Sequence, residues 1–321
     1  MVINYHAAKR APGHTFGTEC ALDLPKGNRI LVDWLPLTLL CALSLALADA
    51  LTKKLLPGYR TAELVVVRFG VTAVLLLPLL ALNLPSSLPA PFWGWVGLAL
   101  PLEVVAMALY VLAIRDSPLS LTLPYLAFTP VFVVLTGLVV LGEQVSVQGL
   151  AGILLVVIGA YALNLQHARF AAPRSWLAPV LAIGRERGSR LMLGAALIYS
   201  MTSVLGKGAL QYVPAASFGP LYFVLLGVFT VAVFGWRDPA AVRVLWRPSW
   251  RHVVIAALMA VMVVTHFLAV ERVEVAYMIS VKRMSILFGI VLGALMFAET
   301  RLVQHLLAAG VMVAGVALIA L

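Results

Sequence analysis

Runs of apolar residues, each close to twenty positions long, alternate along the chain with short polar breaks. A helix needs about 20 such residues to cross a bilayer. The runs predict spans near Leu35–Leu55, Ala62–Leu82, Phe92–Ile114, Leu119–Leu141 and Val147–Leu165. Five more follow near Leu191–Val213, Phe218–Trp236, His252–Val270, Val275–Ala298 and Leu302–Leu321. The pattern predicts an all-α polytopic membrane protein of ten transmembrane helices. Residues 1–29 are polar and interrupted by Pro12, Gly13, Pro25 and Gly27, which predicts a disordered tail. A first five-helix half then covers 30–165, a linker 166–190, and a second half 191–321. The linker is basic, with Arg169, Arg174, Arg185, Arg187 and Arg190.

Composition narrows the class. Hydrophobic residues make up 63% of the chain and charged ones 11%, against about 25% charged in soluble domains. That excludes a soluble enzyme and a nucleic-acid module. The net charge of +10 does not restore the latter, because most arginines sit in short connections, where basic residues orient membrane helices. Cys20 and Cys41 are too few for a disulfide framework or a metal site. The chain has no GxxxxGK[ST] loop, no HExxH pair and no GxSxG elbow. No enzymatic activity, metal or cofactor is expected.

The halves read as copies. A shift of 156 places Glu143-Gln-Val-Ser-Val-Gln148 on Glu299-Thr-Arg-Leu-Val-Gln304, and Gly137 and Gly159 on Gly293 and Gly315. A shift of 154 brings Lys53 onto Lys207. An odd number of spans per copy makes the second enter the membrane upside down, and inverted repeats characterise transporters.

The stretch from Pro118-Leu-Ser-Leu-Thr-Leu-Pro124 through Pro130, Gly137, Leu141-Gly-Glu143, Gly152 and Gly159 resembles the EamA domain of the drug/metabolite transporter superfamily. The second half follows it less faithfully, with Ala298-Glu299 in place of Gly142-Glu143. The resemblance covers about residues 31–321. It implies ten helices around a central cavity, with the last helix of each half peripheral. It also implies movement of small metabolites, amino acids, sugars or drugs, often coupled to a proton or a counter-substrate.

Charges within apolar runs point to a site, since each costs about 2.5–3.5 kcal/mol at mid-membrane on insertion scales. Lys53, Lys54, Arg68, Lys207, Lys282 and Arg283 face only Asp49, Glu63 and Glu103 in number. Asp49 and Lys53 stand four apart and are expected to pair. The cationic excess predicts recognition of an anionic or zwitterionic substrate by Lys53, Arg68, Lys207, Lys282 and Arg283, with Tyr110 and Tyr199. Of Lys282 and Arg283, one is expected to face the cavity and the other to pair with Glu103 or Asp49. Tyr199, Ser203 and Lys207 recur at spacing four as a polar stripe on span six. Glu103, His266 and Asp49 are the candidates for proton coupling, because each can change charge during a cycle. Glu143 and Glu299, at helix C-termini, oppose the dipole and are expected to cap the following helices.

Pro118, Pro124 and Pro130 predict a bent or opened span four. Gly289 and Gly293 form a GxxxG pair, which predicts close helix packing. Twelve cations in one set of loops against five in the other predict termini on the extracytoplasmic side of the cell (inner) membrane. The leading expectation is a secondary-active permease or exporter working by alternating access, with the bilayer and a small molecule as partners and room for a homodimer. The rivals are a flippase for a lipid-linked anionic headgroup and a receptor or scaffold, which predicts closed internal ion pairs.

Overall fold

A computed structural model describes residues 26–116, 125–163, 186–297 and 302–321. Its regular structure, among the described residues, is eleven helices. In the first half these are α1 (Lys26–Leu55), α2 (Thr61–Leu82), α3 (Ala90–Asp116), α4 (Thr129–Leu141) and α5 (Val147–Leu163). The second half contributes α6 (Arg187–Ala209), α7 (Ala215–Arg237), the short α8 (Pro239–Trp246), α9 (Trp250–Val270), α10 and α11 (Leu302–Ala320). Helix α10 comes in two pieces, α10a (Val275–Lys282) and α10b (Met284–Phe297). Among the described residues each predicted apolar run overlaps a helix, and α8 is an addition. The helices from α1 to α3, with α6, α7 and α9, are long and apolar enough to cross a membrane. The apolar α4, α5 and α11 are shorter.

Large apolar side chains lie bare on the outside, among them Leu82, Val139 and Leu307 at 83–84% exposure. Water would not tolerate such a surface, whereas lipid matches it. Helix α1 begins at Lys26, inside the expected tail, and α6 begins at Arg187, before the expected linker end. The rest of both polar segments lies outside the described residues.

Without a hydrophobic force between helices in lipid, small residues decide where backbones meet. Helices α5 and α11 pack most intimately. A Cβ built on Gly152 would lie 2.8 Å from the Gly315 carbonyl oxygen, and one on Gly159 would lie 2.8 Å from that of Ala308. Helices α2 and α7 are almost as close at Gly227, where a Cβ would meet that of Ala73 at 2.4 Å. Around these contacts α1 packs on α9 and α10, and α6 on α3 and α4. Gly289 does not follow suit. Open space surrounds it, so the GxxxG pair makes no close contact through that residue.

Two helix breaks set the positions of the buried arginines. Helix α2 widens into a π-turn over Val67–Val71, which carries Arg68. Such a turn inserts a residue into the ladder and turns side chains that a regular helix would aim elsewhere. Helix α10 is interrupted at Arg283, where the Arg283 amide reaches back three residues to Ser280 and the Ile286 amide to Arg283. No proline causes either break. Span four is opened as expected, with a turn at Tyr125–Phe128 before α4, but Pro130 sits harmlessly in the first turn of the helix. Pro118 and Pro124 lie outside the described residues. At the far end of α4, Gly142 adopts a left-handed φ of 69°. Its amide and that of Glu143 bond back to Leu138 and Gly137, closing the helix end and aiming Glu143 inward.

Candidate functional site

The polar cluster is built from both halves. Arg68, fully buried on the π-turn, donates to the carboxylate of Asp49 on α1 and to Thr52 Oγ1 at 3.3 Å. Tyr110 on α3 donates to the other Asp49 oxygen at 3.1 Å, and its ring lies 5.9 Å below the guanidinium carbon. Tyr199 on α6 meets Tyr110 edge to face, with centroids 6.5 Å apart. Glu103, two turns before Tyr110, lies beside the Thr202 hydroxyl and in the field of Lys282. On α10 the Lys282 ammonium, among the described residues, reaches soft or neutral acceptors, His266 Nδ1 at 3.3 Å and the Met262 sulfur at 3.6 Å.

The pairing corrects two expectations. Asp49 serves Arg68 across the helix interface, instead of Lys53 one turn along its own helix, so Arg68 is neutralised within the protein. Neither Lys282 nor Arg283 pairs with Glu103 or Asp49. Among the described residues no carboxylate stands within 4.0 Å of either cation. Arg283 is 5% exposed, and its Nε has no partner. Asp49, Glu103, Tyr199, His266 and Lys282 are only half-buried.

Aromatic rings close the cluster towards α7 and α9. Phe218, Tyr222 and Phe267 pack against one another, and His266 meets Phe267 edge to face at 4.9 Å. The Tyr222 hydroxyl is buried without a partner. A donor left so inside a protein is available to a ligand or a water. Nothing in the sequence singles out Tyr222, Thr202 or Thr52. Each is one polar group in a long apolar run, and only its neighbours on other helices give it meaning.

Lys53 and Lys207 stand elsewhere. Lys53 is exposed in the last turn of α1. Lys207 lies at one end of the bundle, on a half-open crevice of about 210 Å³ lined by Leu141, Glu143, Lys207, Leu210, Gln211 and Glu271. Its ammonium is 2.7 Å from Glu143 and donates to the Val273 carbonyl at 2.5 Å. Glu143 also accepts from the Val275 amide at 3.0 Å, at the start of α10a. Thus Glu143 caps a helix of the opposite half, not the next one; Ser146 takes that role by accepting from the Gly149 amide. Glu271 accepts in the same way from Ala215 at the start of α7. Carboxylates suit both places because helix N-termini carry partial positive charge. Glu299 lies outside the described residues. The stripe Tyr199–Ser203–Lys207 runs along α6 from the buried cluster to this mouth, about 12 Å of helix.

The profile of the EamA-like transporter family matches residues 33–165 and again 187–321, one copy on each half. The chain belongs to the EamA-like transporter family. It is thus a multi-pass membrane transporter and not an enzyme. The transporter is 30% identical over 67 residues to a protein of Enterobacter sp. (strain 638), described as a probable 4-amino-4-deoxy-L-arabinose-phosphoundecaprenol flippase subunit ArnE. That match covers 21% of this chain and 63% of the relative's length. A solved crystal structure shares the transporter's fold with a TM-score of 0.65 and 17% identity, over 91% of this chain and 98% of the other.

The mouth supplies a first prediction. Replacing Glu143 by Gln removes the charge that Lys207 needs but keeps an acceptor for the Val275 amide, whereas Glu143→Ala loses both. The alanine variant should unfold at the lower temperature in detergent, with a loss of about 1–3 kcal/mol. Equal midpoints for the two variants would show that the helix cap contributes nothing.

Proposed function

We propose that the transporter moves a small anionic or zwitterionic metabolite by alternating access, with its two five-helix halves inverted in the membrane. The carrying observation is that Lys282 and Arg283, at the break in α10, have no carboxylate partner among the described residues, whereas the buried Arg68 has one. A charge buried without a counter-ion is expensive, and a visiting anion removes that penalty. Glu103, half-buried nearby, is placed to receive an ammonium group if the substrate carries one. Inversion draws support from the packing. Exchanging the halves turns α1 against α9 into α6 against α3, and α1 against α10 into α6 against α4. It leaves α2 with α7, α4 with α10, and α5 with α11.

Glu103, His266 and Asp49 are the groups we assign to proton or exchange coupling. His266 touches the Lys282 ammonium and Asp49 the Arg68 guanidinium, so a proton gained or lost by either changes a cation's balance. The loop arginines favour a cytoplasmic linker, with the termini outside the inner membrane. A second reading, a flippase for a lipid-linked anionic headgroup, is favoured by the partial likeness to ArnE and uses the same cations. A receptor or scaffold needs closed ion pairs throughout, and Lys282 and Arg283 argue against it.

A thermal-shift screen of the purified transporter against anionic, zwitterionic and cationic metabolites tests the proposal. Ligand at a hundred times its Kd stabilises the folded form by about 2.7 kcal/mol. The expected hits are anions or zwitterions, and Arg283→Gln or Lys282→Gln should erase the shift while the unliganded protein stays folded. Hits confined to cations, or shifts unchanged in both variants, would reject the cationic site.

A further inference from the structure

The connection from α7 to α9 presents chemistry that the substrate site does not use. Trp236, Trp246 and Trp250 are 92%, 83% and 63% exposed there, far more than large rings inside a fold. Arg237, Arg243, Arg247 and Arg251 are exposed among them. The single acid between residues 236 and 251 is Asp238, and Arg60 at the start of α2 already holds it at 2.7 Å. Arg251 is engaged as well, donating to the Leu55 carbonyl at 3.3 Å and lying over the Trp250 ring. Arg237, Arg243 and Arg247 make no side-chain hydrogen bond or ion pair among the described residues. Exposed indoles mark the headgroup level of a bilayer, and arginines at that level meet lipid phosphates.

The inner side of this segment touches the transport machinery. Ala241 on α8 is fully buried, and α8 packs against α2 and its π-turn. Leu245 presses on Gly70, where a Cβ would stand 3.1 Å from the leucine methyl. Gly70 is two residues from Arg68, within the same π-turn.

We infer that Arg243 and Arg247, flanked by Trp246 and supported by Arg237, form a binding site for the headgroup of an anionic phospholipid. Its occupancy steadies the π-turn of α2 through Leu245 and Gly70. The lipid phosphate supplies the negative charge that the protein withholds from this segment, and the indoles hold the acyl boundary at the right depth. The site stands apart from Lys282 and Arg283, so it does not depend on what the transporter carries.

The test uses the full chain in nanodiscs of phosphatidylcholine alone or mixed with phosphatidylglycerol. Two readouts are followed, lipid retained in native mass spectra and the unfolding midpoint. Wild-type protein should retain phosphatidylglycerol over phosphatidylcholine and gain about 2–4 °C when it is present. Arg243→Gln with Arg247→Gln should lower that retention by roughly tenfold, since each surface arginine adds appreciable attraction to anionic lipid. Arg187→Gln with Arg190→Gln removes the same charge from exposed positions at the start of α6 and should leave retention unchanged. Leu245→Ala should still retain the lipid but lose the gain in midpoint. Equal loss in the two arginine doubles would reduce the effect to net charge and overturn the site. Full retention in the Arg243/Arg247 double would do the same, and a midpoint gain surviving in Leu245→Ala would overturn the coupling. The Arg243→Lys with Arg247→Lys double, expected to keep most retention, guards against a misfolded variant.

Discussion

Leucine at Gly152 or Gly315 leaves little of the transporter in a folded, monodisperse form after extraction. At Gly152 even a methyl group would stand 2.7 Å from Ile319 and 2.8 Å from the Gly315 oxygen. At Gly315 it would meet the Gly152 oxygen at 2.7 Å and the Val156 nitrogen at 2.8 Å. Apart from the Ile319 side chain, these are backbone atoms of two helices, which cannot step aside as a side-chain tip can. Ordinary overpacking costs about 1–3 kcal/mol. Here the helices must separate along their length, and lipid offers no hydrophobic force to hold them together. The loss should therefore exceed that range. Gly97 on α3, with nothing within 4 Å of a built Cβ, is the control. Similar yields and midpoints for Gly97→Leu and Gly152→Leu would refute the idea that α5 and α11 are joined through their backbones.

The second large effect concerns Arg68 and Asp49, and it is asymmetric. The Arg68 side chain is 2% exposed and that of Asp49 30%. Asp49→Asn strands a guanidinium that has no route to water, so a loss of about 3–5 kcal/mol is expected. Arg68→Met strands a carboxylate that still reaches solvent, and should cost about 1–3 kcal/mol. Combining the two removes both charges and should be more stable than Asp49→Asn alone. Unfolding midpoints of the four proteins decide the matter. If the two single losses simply add in the double variant, the charges are not coupled and the pair is incidental. The double variant should still lose ligand-induced stabilisation, since the charged acceptor that orients Tyr110 near Arg283 is gone.

What the sequence discloses depends on the range of the interaction. Apolar run length is a local property, and it locates the six membrane-length helices to within a few residues. The doubled pattern of Glu143-…-Gln148 and Glu299-…-Gln304 marks out the two halves that the family profile matches. Lys282 and Arg283 are legible as cations inside a long apolar run. Partners are not legible. The i,i+4 rule suggests Lys53 for Asp49 because it considers one helix at a time, and the true partner comes from α2. Likewise Glu143 reaches α10a across the bundle, beyond anything its own neighbours could indicate. The π-turn at Val67–Val71 and the break at Arg283 leave no mark, because neither needs a proline and both sit in long apolar runs. Only the folded chain brings Leu245 against Gly70 in the first of them.

The interruption of α10 has an electrical side. The piece α10a holds eight residues, about 12 Å of helix, against roughly 30 Å of hydrocarbon. If α10a starts at the membrane face, Lys282 and Arg283 lie near mid-depth, where about half of the transmembrane voltage has fallen. An anion travelling from either face to that point crosses half the field, worth roughly 1.2 kcal/mol per charge at 100 mV. If the proposed substrate carries net negative charge, the resting potential favours occupancy from one face and opposes it from the other, a preferred direction of loading that needs no asymmetry in the binding groups.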